Sequence, residues 1–296
     1  MDAPSLIAVM GPTASGKTAL AERLADRLDA QLINADAFQI YRYLDVGTSK
    51  PGTRDRYELL DIRDPDEQFG VGEWVSLVLA ILDAAWSKRR NAVVVGGTGL
   101  YVRALFEEFS EMRAAPDPNL REELQKRMLE QGPASLYAEL LAADPVAAAK
   151  LDPRNPARLR RALERLAGPT EPIGVALPPF RKLKLAVDPP KDVLDAQIER
   201  RLDKMIQNGW VQEVCRLREA GFAKESPAFR AIGYLDIWSH IEGVISLEGA
   251  LARIASATRR YAKRQRTWLR GEPRLYRPAC EEGIDALFAD AMERIA

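Results

Sequence analysis

The sequence predicts an α/β protein, a parallel sheet with helices on both faces, interrupted by an all-helical insertion. Three observations within the 296 residues lead there. A glycine-containing octet, Gly11-Pro12-Thr13-Ala14-Ser15-Gly16-Lys17-Thr18, stands between a short apolar run and a stretch of helical periodicity. Strand-like and helix-like segments then alternate through the first hundred residues, as expected of parallel strands joined by crossover helices. From about Pro116 the strand-like runs stop. Four helical stretches follow, punctuated by Pro133, Pro145 and Pro153.

Each element has a local reason. Leu6-Ile7-Ala8-Val9-Met10 is wholly apolar, as a strand buried on both faces must be. The octet completes the pattern G-x-x-x-x-G-K-[ST]. Its glycines let the backbone curl so that N–H groups point at an anion, Lys17 adds a cation for terminal phosphate oxygens, and Thr18 can offer its hydroxyl to Mg²⁺. Ala19 to Leu28 is apolar at helical spacing, which brings the positive end of a helix under the anion. The core is therefore P-loop NTPase-like and binds a phosphorylated ligand. A nucleoside triphosphate is the usual occupant, but the loop recognises phosphates and not the group attached to them. Strands follow at Gln31–Asn34, Tyr57–Ile62 and Ala92–Val95, with a helix around Val75–Leu82 between the last two. A Pro/Gly-rich connector, 168–179, returns the chain to a strand at Lys182–Val187, and the remainder is mostly helical up to a last strand at Arg274–Tyr276. The domains so read are a core of 1–115 with 168–296 and an insertion of 116–167.

The bulk numbers exclude several classes. With Cys215, Cys280 and one histidine, His240, neither a disulfide framework nor a Cys/His zinc site can be assembled, and His240 is expected to be structural. No apolar run has membrane-spanning length, and the N-terminus lacks the regions of a signal peptide, so a cytoplasmic protein with no membrane partner is expected. Forty-three basic residues balance forty-three acidic ones. Nucleic-acid binding would therefore need local clustering of charge.

Ligands in such sheets bind beyond the carboxyl ends of the strands. Asp36, after the second strand, could hold Mg²⁺ through water, act as a general base, or cap the next helix. In Gly96-Gly97-Thr98-Gly99 the glycines permit close approach and Thr98 offers a hydroxyl, though a plain turn explains the glycines equally well. No apolar strand ends in the aspartate that nucleotide hydrolases place there, which weighs against ATP hydrolysis. Leu247 to Arg270 reads as one amphipathic helix ended by Gly271 and Pro273. Leu247, Leu251, Ile254, Thr258, Tyr261, Gln265 and Trp268 fall in an arc of about 100° that docks on the core. Arg259, Lys263, Arg266 and Arg270 form an outward stripe about 60° wide, with Arg260 and Arg264 beside it. In the insertion Asn155 caps a helix opened by Pro156, and Arg158, Arg161 and Arg165 share a face. Like charges at this spacing do not stabilise a helix. The expected partner is nucleic acid, held by its phosphates.

These residues resemble the tRNA dimethylallyltransferases, also called tRNA isopentenylpyrophosphate transferases, over nearly the whole chain. The resemblance is carried by the octet and by three further motifs of the first half, 34–41 (Asn-Ala-Asp-Ala-Phe-Gln-Ile-Tyr), 45–51 (Asp-Val-Gly-Thr-Ser-Lys-Pro) and 96–101. It continues in Asp144-Pro145-Val146-Ala147-Ala148, Arg230-Ala231-Ile232-Gly233-Tyr234 and Lys263-Arg264-Gln265-Arg266-Thr267-Trp268-Leu269-Arg270. It implies that the octet holds the diphosphate of dimethylallyl diphosphate, and that the dimethylallyl group goes to N6 of adenosine 37 of tRNA. Asp36 would be the general base and Thr98 would lie near the diphosphate and the target base. Lys17, Thr18 with Mg²⁺, and Arg230 would stabilise the departing diphosphate. The positions matched to tRNA contact are Asp36, Ala37, Phe38, Gln39, Thr98, Arg121, Ala157, Arg158, Leu159, Arg160, Arg161, Arg230, Gly233 and Tyr234, and in the last motif Lys263, Arg264, Gln265, Arg266, Trp268 and Arg270. Ala37 stands where many members carry serine, and Leu235 where a basic residue is usual. The missing Cys/His finger fits a bacterial-type enzyme, expected as a monomer.

Two other enzymes remain open on the sequence. A small-molecule kinase would turn over ATP and leave the basic helix idle. Prenylation of free adenine nucleotides would leave the insertion and both basic faces idle. A non-catalytic RNA-binding protein would leave the phosphate loop without a use.

Overall fold

We describe residues 3–107, 117–168, 176–277 and 283–295 of a computed structural model of the chain. Pro116, most of the Pro/Gly connector and Cys280 lie outside the described residues. Six parallel strands make one sheet in the order β3-β2-β4-β1-β5-β6, with β1 Ser5–Met10, β2 Gln31–Asn34, β3 Tyr57–Glu58, β4 Ala92–Gly96, β5 Arg181–Ala186 and β6 Leu275–Tyr276. All six residues of β1 are buried between β4 and β5, which is why the run is apolar without alternation. Met10 is level with Gly96 and Ala186, and Asn34 with Val95. The octet, the turn after Asn34 and the turn after Gly96 therefore open at one edge of the sheet.

The third strand is shorter than its sequence suggests. Leu59 (φ 64°) and Asp61 (φ 55°) take left-handed backbone, which no strand can hold, so pairing ends at Glu58. Helices α1 (Lys17–Leu28), α2 (Val71–Ser87) and α3 (Gly99–Phe106) belong to this unit. So do α8 (Lys191–Gln207), α9 (Trp210–Glu219), α10 (Tyr234–Ile241), α11 (Leu247–Arg270) and α12 (Gly283–Ile295). One apolar cluster packs Leu20 and Leu24 of α1 and Leu287 of α12 on Ile7, Val9 and Val93. A second joins α8 to α11 through Ile198, Leu202, Trp210, Val214, Phe229, Tyr234 and Ile254.

Residues 108–176 form a separate compact unit. Its helices are α4 (Pro118–Gln131), α5 (Pro133–Ala143), α6 (Pro145–Ala148) and α7 (Pro156–Ala167), around a small core of Leu124, Leu136, Leu140, Leu159 and Leu163. Each opens on a proline, whose missing N–H would be unpaired there in any case. Asp117, Asp144 and Asn155 cap three of them by accepting from Asn119 N (2.9 Å), Ala147 N (2.9 Å) and Arg158 N (3.2 Å). Among the described residues no helix is long and apolar enough to cross a membrane.

Candidate active site

The phosphate loop is shaped by two close approaches and a change of hand. A Cβ on Gly11 would lie 2.5 Å from both Ser15 Oγ and the Val187 carbonyl oxygen. Ala14 (φ 63°) and Gly16 (φ 86°) are left-handed, so the intervening amides turn toward a common centre. No side chain caps α1 at Gly16, which leaves its first-turn amides to a ligand with the helix dipole behind them. Lys17 crosses the loop, donating from Nζ to the Pro12 carbonyl (3.2 Å). Burial, then the nearby Arg201 guanidinium, lower Lys17 to about 8, against an opposing pull from Asp36. In the unfolded chain this amine keeps its proton up to about 10.5. Between those values the unfolded chain binds more protons than the folded one, so stability rises with pH. Thermal melts of the ligand-free protein across that window should show a gain that Lys17→Met lacks.

The aspartate turn is built by its neighbours. Asn34, buried at the end of β2, accepts at Oδ1 from Asp36 N (3.0 Å) and donates from Nδ2 to the Asp36 (3.2 Å) and Leu59 (3.0 Å) carbonyls. Trp74 Nε1 donates to the Asn34 carbonyl (2.8 Å). Asp36 Oδ1 accepts from Phe38 N (2.9 Å), and residues 37–40 form a turn, so the helix-capping alternative is replaced by an Asx turn. Thr98 joins this turn to the β4–α3 turn. Its Oγ1 accepts from Ala37 N (3.1 Å) and its N–H donates to the Ala35 carbonyl (3.3 Å). The contact at position 37 is made by backbone, so alanine serves there. A Cβ on Gly96 would sit 2.0 Å from the Ala35 oxygen, which decides for close approach over a plain turn. Gln39 donates to the Thr48 (3.1 Å) and Ser49 (3.2 Å) carbonyls, tying the aspartate turn to the 45–51 motif.

Arg201 on α8 joins the site from a segment that no sequence motif marks. Its Nη2 donates to the Thr48 carbonyl (3.3 Å), and its surface faces cavities of ≈ 60 Å³, ≈ 270 Å³ and ≈ 560 Å³ around the loop. Burial lowers its pKa, with Asp36 opposing. A deep-set guanidinium with no ion-pair partner among the described residues is costly until an anion arrives. The ≈ 60 Å³ cavity is lined by Thr13, Lys17, Thr18, Asp36, Gln39 and Arg201, which suits phosphate. The ≈ 270 Å³ cavity is lined by Thr13, Asp36, Arg201 and Arg230 and by the apolar side chains of Phe38, Ile198, Leu202, Met205, Trp210 and Ile254, which suit hydrocarbon. Burial and the charge of Asp36 raise Tyr101 and Tyr261, so both hydroxyls are donors and not bases.

Helix α11 has the predicted span, but its two faces differ from expectation. On the inner face Gln265 is buried. Its Oε1 accepts from Thr13 N (2.8 Å) and its Nε2 donates to the Gly97 carbonyl (3.0 Å), so it bridges the phosphate loop and the β4–α3 turn. Trp268 packs on Gly99, where a Cβ would meet the indole nitrogen at 2.1 Å. Arg103 stacks over the same ring (4.1 Å) and pairs with Glu272 (2.9 Å). On the outer face Lys263 and Arg270 are exposed, whereas Arg264, also exposed, lies over the Tyr261 ring (5.6 Å) and lines the ≈ 270 Å³ cavity. Arg259 instead pairs with Glu199, and Arg266 with Asp188 (2.7 Å). The basic stripe is thus half neutralised by carboxylates remote in sequence, which a helical wheel cannot contain.

Other matched residues also turn inward. Tyr234 is wholly buried and donates to Glu213 (2.7 Å), while Gly233 (φ 97°) packs on Trp210. In the second unit Leu159 lies in the core, so it supports α7 instead of presenting a side chain to a partner. Arg121 (3.0 Å), Arg160 (3.6 Å) and Arg161 (3.3 Å) converge on the buried Glu164, which leaves a net positive cluster. Ala157 and Arg158 are exposed at the start of α7.

A phosphate cradle that opens into an apolar cavity, with a carboxylate at the junction, defines a group-transfer enzyme on a P-loop NTPase-like fold. The family model described as IPP transferase matches residues 39–272, and that described as isopentenyl transferase matches residues 4–60. The chain is 38% identical over 278 residues to a tRNA dimethylallyltransferase of Chloroflexus aggregans, covering 91% of this chain and 94% of that one. It is 41% identical over 293 residues to a tRNA dimethylallyltransferase of Stenotrophomonas maltophilia, covering 91% and 90%. Among solved structures, the full-length tRNA isopentenylpyrophosphate transferase of Bacillus halodurans superposes with a TM-score of 0.70 at 31% identity, covering 98% and 96%. The chain belongs to the tRNA dimethylallyltransferase family, and is a prenyltransferase.

Proposed function

We propose that the protein transfers the dimethylallyl group of dimethylallyl diphosphate to N6 of adenosine 37 in tRNA, releasing diphosphate. The observation that carries this reading is the position of Asp36, shared by the phosphate-sized cavity and the apolar one. The loop amides, Lys17, Arg201 and Arg230 hold the diphosphate while the tail lies in the apolar cavity. The C1–O bond of the ester breaks and the N6–C1 bond forms. One N6 proton passes to the Asp36 carboxylate, and the cations stabilise the charge gathering on the leaving group. Thr98 keeps the aspartate turn in place through the Ala37 amide.

Thr18, exposed at the start of α1, is suited to hold Mg²⁺ together with substrate oxygens, the mixed ligand set this ion favours. Such an ion supplies charge neutralisation at the diphosphate. Lys263, Arg264, Arg270 and Arg158 are exposed cations for tRNA phosphates, and the target base must leave its stack to reach Asp36. The test is transfer from radiolabelled dimethylallyl diphosphate with Mg²⁺ to unmodified tRNA, beside AMP and ATPase controls. Label in tRNA alone is expected. Label in AMP, or ATP consumption without transfer, would overturn the reading.

A further inference from the structure

Resting on the proposed reaction, we infer that Trp210 limits the prenyl group to a single isoprene unit by closing the apolar end of the ≈ 270 Å³ cavity. Thr13 and Asp36, which also face the phosphate-sized cavity, line this cavity together with Leu202, Met205 and Trp210, so a tail attached at the phosphate loop would lie against these side chains. Trp210 is 1% exposed and held on two sides. A Cβ on Gly47 would meet its indole nitrogen at 2.1 Å, and one on Gly233 its Cη2 at 2.3 Å. Tyr234 presses edge-on at 5.7 Å.

The backbone beside the indole is itself anchored. Glu213 accepts from the amides of Asp45 (2.8 Å), Val46 (2.6 Å) and Gly47 (3.1 Å), and from the Tyr234 hydroxyl (2.7 Å). The wall therefore cannot swing aside for a longer chain. A dry cavity of roughly 150 Å³ takes a six-carbon ring. At the same ratio a cavity of ≈ 270 Å³ is filled by about ten carbons, so a ten-carbon tail would leave no space for the reacting amine.

The test measures kcat/KM for transfer of dimethylallyl and geranyl groups from their diphosphates to unmodified tRNA, by the wild-type protein, Trp210→Leu and Met205→Ala. The wild type should prefer dimethylallyl by at least about 100-fold, in keeping with the 10- to 200-fold effect of one methylene in an apolar pocket. Trp210→Leu should narrow that preference about tenfold or more through faster geranyl transfer. Met205→Ala opens the same wall with a smaller loss of packing and should narrow it about threefold. Equal use of both diphosphates by the wild type overturns the inference, as does an unchanged ratio in either folded variant. If Trp210→Leu does not fold, Met205→Ala decides. Failure of the wild type to transfer dimethylallyl to tRNA at all would instead overturn the reaction on which the inference rests.

Discussion

Asp36→Ala should reduce prenyl transfer by roughly 10²- to 10⁴-fold, the usual worth of a positioned general base, while tRNA binding persists. The expectation follows from where the carboxylate is fixed. Asn34 clamps its backbone from both sides, Thr98 holds the next amide, and the Asx turn with Phe38 engages one carboxylate oxygen. Asp36→Asn separates chemistry from architecture, because its Oδ1 can still accept from Phe38 while no basic oxygen remains. Both variants should lose transfer together. Substantial transfer by Asp36→Asn, measured with saturating tRNA, would remove Asp36 from the role of base. Loss in Asp36→Ala alone would make it a structural residue of the turn.

Arg201→Met should lower kcat/KM by about 10²- to 10³-fold, as removal of one preorganised charge from a developing anion does. It should also move a titration. Arg201 is the second-largest cause of the low Lys17 value, after burial, so without it Lys17 should keep its proton above the present value of about 8. The alkaline fall in diphosphate affinity, which tracks loss of the Lys17 proton, should then shift to higher pH. Isothermal titration of diphosphate into both proteins across that range measures the shift. A merely structural Arg201 would weaken binding without moving the limb, and an unmoved limb would count against its place beside Lys17.

Much of the site is written locally. The octet, the apolar β1 and the span of α11 depend on neighbours in sequence, where backbone freedom, strand burial and helical periodicity act. The capped, proline-opened helices of 118–167 are legible for the same reason. Residues 57–62 show the limit, since Leu59 and Asp61 stand in a strand-like stretch yet adopt left-handed backbone, Leu59 with its carbonyl held by Asn34.

Residues that act across the fold left no such trace. Arg201 is one arginine among several in α8, Gln265 was matched to tRNA contact and not to a bridge within the protein, and Glu213 stood out in no motif. Each matters through a partner far away along the chain, Thr48, Thr13 or Gly47. The basic stripe of α11 was half cancelled in the same way, by Glu199 and Asp188.

The sequence by itself located the phosphate-loop motif, the end of the sheet at which it opens and the carboxylate beside it, because loop, strand and turn chemistry are short-range. Tertiary structure alone decided which charges remain open, which glutamine bridges the phosphate loop and which side chains line the apolar cavity. Desolvation and packing are properties of the neighbours a side chain meets in space, and these neighbours are brought together only when the chain folds.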